Sequence, residues 1–551
     1  MKNLFILLLA FFAFGLAKAQ APTNAYWVAF TDKVGTPFSV ERPQDFLSSR
    51  AIERRARQQI PIAPNDLPVN PSYIAAVRQC GATVLSSSRW FNGVVVYYSD
   101  APTLAKIQAL TFVKSTAAVT RYKQKILKTY LSADKGTQPE NTYGASYRQV
   151  SMLQMDSIHL QGYRAENMVI AVMDAGFDNA PNIPHFSHIF GKGLYDSWDF
   201  VQNKPLEFTY DNHGSNVLGC MGANLPGEYI GTAPMARFAL FRTENVIDAG
   251  NGSELLIEEY NWVAAAERAD SLGADVLNTS LGYSEFSNAA FDHSYQQMDG
   301  NTTRITQAAD IAASKGMLVV VSAGNQGNSP WKYITAPADA DSTLTVGAVD
   351  SAGLRTGFSS QGPTADGRTK PNVMAQGGKV AVVRNTGDIG ISNGTSFSGP
   401  IIAGAAACLW QAHPKATNME LLRAIEQSAS RATNPDSLMG YGIPNFAQAK
   451  RILDKKYKPL LPQLPLITVN PNPFDDNLLV YFDLQSEQYF TITIYDILGK
   501  KVFEQNLQKI PAGSSFKHLT LPTLFRQNTP YLAVVQGQTY RFTKMLLHKN
   551  L

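Results

Sequence analysis

The sequence predicts an α/β fold at its centre, a parallel sheet with covering helices, preceded by a small α+β domain and followed by an all-β, sandwich-like domain. Three observations carry this. Residues 169–173, Val-Ile-Ala-Val-Met, form the unbroken apolar run that a parallel strand covered on both faces requires. Between 143 and 454 such runs alternate with helical patterns, as repeated strand–helix units do. From 466 onward the pattern changes to short alternating strands separated by turn residues.

Residues 1–19 hold Lys2, an apolar run from Leu4 to Leu16, and Ala17-Lys18-Ala19 ahead of Gln20, the layout of a secretory signal peptide. The run is shorter than the roughly 20 residues a spanning helix needs, so export is expected and a transmembrane anchor is not. The segment 20–142 reads as strands near 26–30, 83–87 and 94–98 with helices near 43–57, 71–80 and 102–110, closing in a polar, basic linker at 123–142. Its densest charge cluster, Arg50-Ala51-Ile52-Glu53-Arg54-Arg55-Ala56-Arg57, reads as the solvated face of a helix. In 143–454 an amphipathic helix at 254–272 precedes a strand at 274–279, and a helix at 306–314 precedes a strand at 317–322. Thr417-Asn418-Met419-Glu420 has the capping-box form of a late helix start. Pro459, Pro462 and Pro465 make 455–465 a stiff linker, and 466–551 holds strands near 478–482, 490–495, 501–507, 516–521, 530–536 and 540–547.

The 551 residues are 44% hydrophobic and 17% charged, a globular balance, and a net charge of +4 without a long basic run excludes a nucleic-acid role. Three cysteines are too few for a disulfide framework. Cys220 and Cys408 fall in apolar helical stretches and read as buried free thiols, with a bridge between them as the alternative.

Four motifs carry chemistry. Asp174 ends the apolar run and is followed by Ala175-Gly176, which sets its carboxylate at the carboxyl edge of the sheet, where open parallel sheets place their sites. His213 stands in Asp211-Asn212-His213-Gly214. Ser396 stands in Asn393-Gly394-Thr395-Ser396-Phe397-Ser398-Gly399-Pro400, opening an Ala-rich helix whose N-terminus adds partial positive charge. Asn325 follows Val319-Val320-Val321-Ser322-Ala323-Gly324. A serine hydroxyl is a weak nucleophile until a base takes its proton, and a carboxylate keeps that base in the useful tautomer. Asp, His and Ser are therefore the parts of an acyl-transfer triad.

The order Asp, His, Ser, with the Asn between the last two, resembles the subtilisin-like serine peptidases, the subtilases. The resemblance implies Asp174, His213 and Ser396 as catalytic residues and Asn325 as oxyanion-hole donor. It also implies substrate-binding walls at Ser280-Leu281-Gly282 and Ser322-Ala323-Gly324. Asn216 stands where relatives carry a second His, and Tyr283 and Phe397 replace the commoner Gly and Met, so side-chain preference does not carry over. No cofactor is expected, and Asn224-Leu225-Pro226-Gly227-Glu228-Tyr229 is too poor in oxygen ligands for the calcium many relatives hold. By position, 20–142 is similar to the inhibitory prodomain of this family, with 43–57 as an insertion. The tail resembles the sorting domain of type IX secretion on Asn470-Pro471-Asn472-Pro473, on Ile494-Tyr495-Asp496-Ile497-Leu498-Gly499-Lys500-Lys501-Val502, and on the basic residues Lys544 and Lys549. The expectation is a secreted or surface-attached serine endopeptidase, routed through the periplasm, with protein or peptide substrates, its own prodomain as inhibitor and the secretion machinery as partner. A non-catalytic binding protein on the same scaffold is the alternative. An esterase of the α/β-hydrolase type is disfavoured by the triad order and by Ser398 where its nucleophile turn wants Gly.

Overall fold

The computed structural model describes residues 24–548 except 99, 120–141, 246–253, 458–465, 471–473, 475–476, 485, 523–524, 526–528 and 539. The signal at 1–19, nearly all of the linker at 123–142, the three linker prolines and most of the Asn-Pro-Asn-Pro motif lie outside the described residues.

Seven parallel strands form the central sheet in the order Val373–Gln376, Leu344–Val349, Leu318–Ser322, Val276–Thr279, Val169–Asp174, Arg237–Arg242 and Leu194–Asp199. Side chains alternate along a strand, and here both sets are apolar because both faces are covered. Ile170 and Val172 pack beneath the helices His213–Gly222 and Thr395–Ala412. Val169, Ala171 and Met173 pack beneath Leu256–Leu272 and Arg304–Ser314. Thr279 pairs with both Met173 and Val321, so Asp174, Ser280 and Ser322 emerge at the same level of the carboxyl edge.

The N-terminal domain is a four-stranded antiparallel sheet in the order Thr83–Ser88, Gly93–Tyr98, Asn24–Phe30, Val113–Ala118. Val28 and Phe30 face its own helices Pro71–Gln79 and Ala101–Gln108, while Ala25 and Trp27 face Tyr260 and Ile257 of the central domain. The guanidinium of Arg304 sits among Phe91, Trp27 and Tyr260, at 4.6, 4.8 and 5.0 Å from the ring centres.

Two readings of the sequence are corrected at this contact. The helix Ser49–Arg57 does not carry its arginines into water: Arg54 and Arg55 are each 1% exposed. Arg54, Arg55 and Arg89 converge on Asp270, and Arg55 also binds Asp66 at 3.0 Å, which Lys315 meets at 3.0 Å. Glu267 accepts the backbone N–H groups of Arg89 and Trp90 at 2.8 and 3.2 Å. Accordingly Leu256–Leu272 is buried on both sides, its polar face covered by the N-terminal domain.

The tail packs a three-stranded sheet, Leu466–Asn470, Asn477–Leu484 and Gly513–Thr520, over a four-stranded one, Lys501–Ile510, Gln488–Asp496, Pro530–Gly537 and Arg541–Leu547, around one apolar core. The capping box forms as read, with Thr417 N–H donating to Glu420 at 2.8 Å. The following helix Phe446–Lys456 runs two residues into the stretch read as linker. Cys220 and Cys408 are buried and unbridged, and burial pushes the Cys220 thiol up to about 12.

Burial alone would raise the Asp270 carboxyl, but Arg89, Arg54 and Arg55 outweigh it and hold it below the usual carboxylate range. A carboxyl depressed in the folded state stabilises above its unfolded pKa and loses that contribution as pH falls through the folded one, so this clamp is complete at neutral pH and opens only in strong acid. Asp270→Ala removes the carboxylate that Arg54, Arg55 and Arg89 share and leaves Arg55 only Asp66, and removing one partner of such a buried set costs about 3–5 kcal/mol. Urea denaturation of the full-length protein at pH 7 is expected to show a lower midpoint for this variant, and an unchanged midpoint contradicts the clamp.

Candidate active site

Asp174, His213 and Ser396 come from three elements that meet at the carboxyl edge. Asp174 is fully buried; its Oδ1 accepts the Ala175 N–H at 2.8 Å and lies 2.8 Å from His213 Nδ1, while Oδ2 has no partner. Burial pushes this carboxyl up, opposed by the charge and hydrogen bond of His213. A carboxylate at Nδ1 fixes the proton there and leaves Nε2 as the accepting nitrogen. The imidazole is 16% exposed and opens His213–Gly222, whose first turn is tied by Asp211 Oδ1 accepting the His213 N–H at 2.7 Å.

Two glycines allow this approach. A Cβ on Gly214 would lie 2.2 Å from Gly176 O, and one on Gly176 would lie 2.4 Å from Asp211 N. The turn after the Asp and the helix start at the His therefore meet backbone to backbone.

Ser396 stands on the first turn of Thr395–Ala412, after Gly394 at φ +150°. Pro400 has no N–H, so the Ser396 carbonyl lacks its helical donor. Ser280 Oγ supplies the bond instead, donating to Ser396 O at 2.9 Å. The Ser396 hydroxyl donates to Ser280 O at 3.3 Å. The Phe397 ring packs against the His213 imidazole with centres 5.7 Å apart.

Asn325 Oδ1 accepts Thr395 N–H at 2.9 Å and Thr395 Oγ1–H at 3.1 Å. A backbone N–H can only face the oxygen of the amide, so Nδ2 is the end left to donate. Thr395 Oγ1 in turn accepts the Gly324 N–H at 3.2 Å, joining the helix start to the strand end.

These residues line one cavity of about 220 Å³ containing His213, Ser396, Asn325 and the stretch 280–282. Ser322 and Gly324 line it too, whereas Ala323, read as part of the same wall, turns into the opposite core because side chains alternate. Three lining residues lay outside every motif. Thr335 belongs to a loop with no sequence signal. Glu244 and Glu254 follow the strand Arg237–Arg242; burial first, then the neighbouring Glu254 and Glu258, pushes the Glu244 carboxyl well up, and it accepts the Tyr283 hydroxyl at 3.0 Å. Among the described residues, no group of His, Cys, Asp or Glu is placed to hold a metal ion.

Gly214→Ala is expected to force the His213 helix off Gly176, since overpacking of this kind costs about 1–3 kcal/mol. The check is the denaturation midpoint together with the burial of His213; a variant as stable as the parent contradicts the close approach.

A family profile described as Peptidase S8, the subtilase family, matches residues 165–442. The Bacteroidota propeptide domain of Peptidase S8 matches 25–135, and a secretion system C-terminal sorting domain matches 468–544. The chain is 31% identical over 284 residues to Subtilisin of Bacillus pumilus, covering 51% of this chain and 90% of that protein. It is 31% identical over 303 residues to Subtilisin E of Bacillus subtilis strain 168, covering 54% and 70%, and 27% identical to Subtilisin Savinase of Lederbergia lenta, covering 55% and 97%. No helix among the described residues is long and apolar enough to cross a membrane. The chain belongs to the subtilase family: it is a subtilisin-like serine endopeptidase that carries its own propeptide and a type IX sorting domain, and it is secreted or attached at the cell surface.

Proposed function

We propose that peptide hydrolysis here runs through Ser396, His213 and Asp174 by way of an acyl-enzyme. The observation that carries the reading is the 2.8 Å bond from His213 Nδ1 to the buried Asp174, in the same cleft as a serine on the first turn of a buried helix. As the Ser396 oxygen bonds to the scissile carbonyl carbon, its proton passes to His213 Nε2, and Asp174 stabilises the imidazolium. The carbonyl oxygen becomes an oxyanion and accepts from Asn325 Nδ2 and the Ser396 N–H. A donor of the Asn type contributes about 3–4 kcal/mol, a size known from subtilisin itself. Collapse breaks the C–N bond, and His213 returns its proton to the leaving amine. Water, deprotonated by His213, then attacks the ester and frees Ser396.

The substrate chain is held along 280–282, where the backbone leaves the sheet next to the nucleophile. Residues 1–19 serve as signal peptide, 20–142 as prodomain with its activation linker, 143–454 as the peptidase, 455–465 as linker and 466–551 as sorting domain; the route runs through the periplasm. The clamp on Asp270 supports a prodomain that stays seated until the linker is cut.

Ser396→Ala is expected to abolish hydrolysis of a peptide substrate and to leave the N-terminal domain covalently attached, read by the mass of the purified protein. A Ser396→Ala variant that cleaves at the parent rate overturns the mechanism.

A further inference from the structure

The strand Val276–Thr279 runs through the middle of the central sheet, and it carries an asparagine where its neighbours are apolar. Asn278 is 0% exposed and pairs with Val172 on one side and Val320 on the other, both of which pack in the core beneath Thr395–Ala412. Val276, two residues back, belongs to the same core. A polar group buried among valines costs free energy unless it is hydrogen-bonded, and here only one end of the amide is. Asn278 Oδ1 has no partner, whereas Nδ2 donates to Ser280 Oγ at 3.2 Å. The helix crosses this point at Gly399, where an added Cβ would lie 3.8 Å from Oδ1. Ser280 borders the cleft and Asn278 lies behind it.

Ser280 joins this amide to the nucleophile. Its Oγ donates to Ser396 O at 2.9 Å, the carbonyl that Pro400 leaves without a helical donor. A hydroxyl has a single hydrogen, and a carbonyl can only accept, so that hydrogen points at Ser396 O and the Ser280 oxygen is left to accept. Asn278 Nδ2 supplies the donor. It stops the hydroxyl from turning its hydrogen elsewhere, and bonds in series polarise one another, so the amide strengthens the bond that Ser280 makes. We infer that Asn278 is a positioning residue for the nucleophile: the relay from Asn278 Nδ2 through the Ser280 hydroxyl to the Ser396 carbonyl holds the Ser396 hydroxyl and N–H at the angle that attack requires. This rests on the peptidase reading of Ser396 and goes beyond it. On the other side of the nucleophile, Asn325 Oδ1 holds the Thr395 N–H, so the backbone is fixed both before and after Ser396. A side chain serving the core alone would be apolar at 278; the donating end of the amide is what has a use there.

The test is steady-state hydrolysis of one peptide p-nitroanilide by the matured enzyme, expressed as the full chain, read together with the urea denaturation midpoint. Asn278→Leu keeps the shape and removes the donor. Its kcat is expected to fall about tenfold, the weight of one neutral hydrogen bond, with KM within about twofold of the parent because Asn278 touches no substrate. The midpoint is expected to hold or rise, since an unpaired buried oxygen has gone. That split separates positioning from a structural role, which lowers the midpoint along with the rate. Ser280→Ala is expected to lose the same factor in kcat, and the double variant to be no slower than Ser280→Ala alone, because the amide acts only through the hydroxyl. The inference is overturned if Asn278→Leu keeps the parent kcat, if its kcat falls only together with the midpoint, or if the two losses multiply in the double variant. Should Asn278→Leu not fold, Asn278→Ala is read for kcat and KM in its place, and a parent kcat there overturns the inference equally. If Ser396→Ala cleaves the substrate at the parent rate, the peptidase assignment of Ser396 falls first, a result independent of residues 278 and 280.

Discussion

The helix Thr395–Ala412 runs through the middle of the central domain with almost every side chain buried, and the geometry of the site follows from the need to bury it. Its apolar residues pack under the sheet beside His213–Gly222, so the position of its first turn is set by the core. Pro400 takes away one helical hydrogen bond at the first turn, and the freed Ser396 carbonyl accepts from Ser280 instead. Asn325 holds the Thr395 N–H in the same way. The Thr395 N–H and the Ser396 carbonyl are thus tied to segments that follow two strands of the sheet and also line the cleft, so the bonds that finish the helix also position the site.

Buried charge organises the remainder. Asp174 lies out of water with one oxygen bonded and the other bare, which makes its charge depend on His213 and holds the imidazole in one orientation. On the outer layer the same physics fastens the N-terminal domain: Asp270 and Glu267 of one helix face arginines and backbone N–H groups of the other domain. An isolated carboxylate in either place would be costly, whereas a paired one locks two segments in register. The helix that bears Asp270 also packs on the strand that ends in Asp174, so the inhibitory domain is anchored directly over the core that carries the site.

Asp174, His213 and Ser396 are legible as candidates in the sequence because they end a strand or open a helix inside short motifs, and Asn325 because it follows the apolar strand Leu318–Ser322 by three residues. The helical cluster 50–57 is misread because the carboxylate it converges on, Asp270, lies more than 200 residues further on, and a charge run has no local mark that separates a buried face from a wet one. The helix Leu256–Leu272 was misread for the same reason, since its polar face is covered by another domain. Ala323 was placed in a wall by its neighbours, but strand alternation turns it into the core. Thr335 carries no motif; only the meeting of two glycine-lined walls shows where its hydroxyl lies.

The central claim is that one serine, activated by the His213–Asp174 pair, performs the attack. Treatment of the matured protein with a fluorophosphonate, followed by digestion and mass spectrometry, reads this directly. The account predicts a single phosphonylated site at Ser396, lost when His213 is replaced by Ala. Labelling spread over several serines, or labelling of Ser396 that persists at the parent rate without His213, contradicts it.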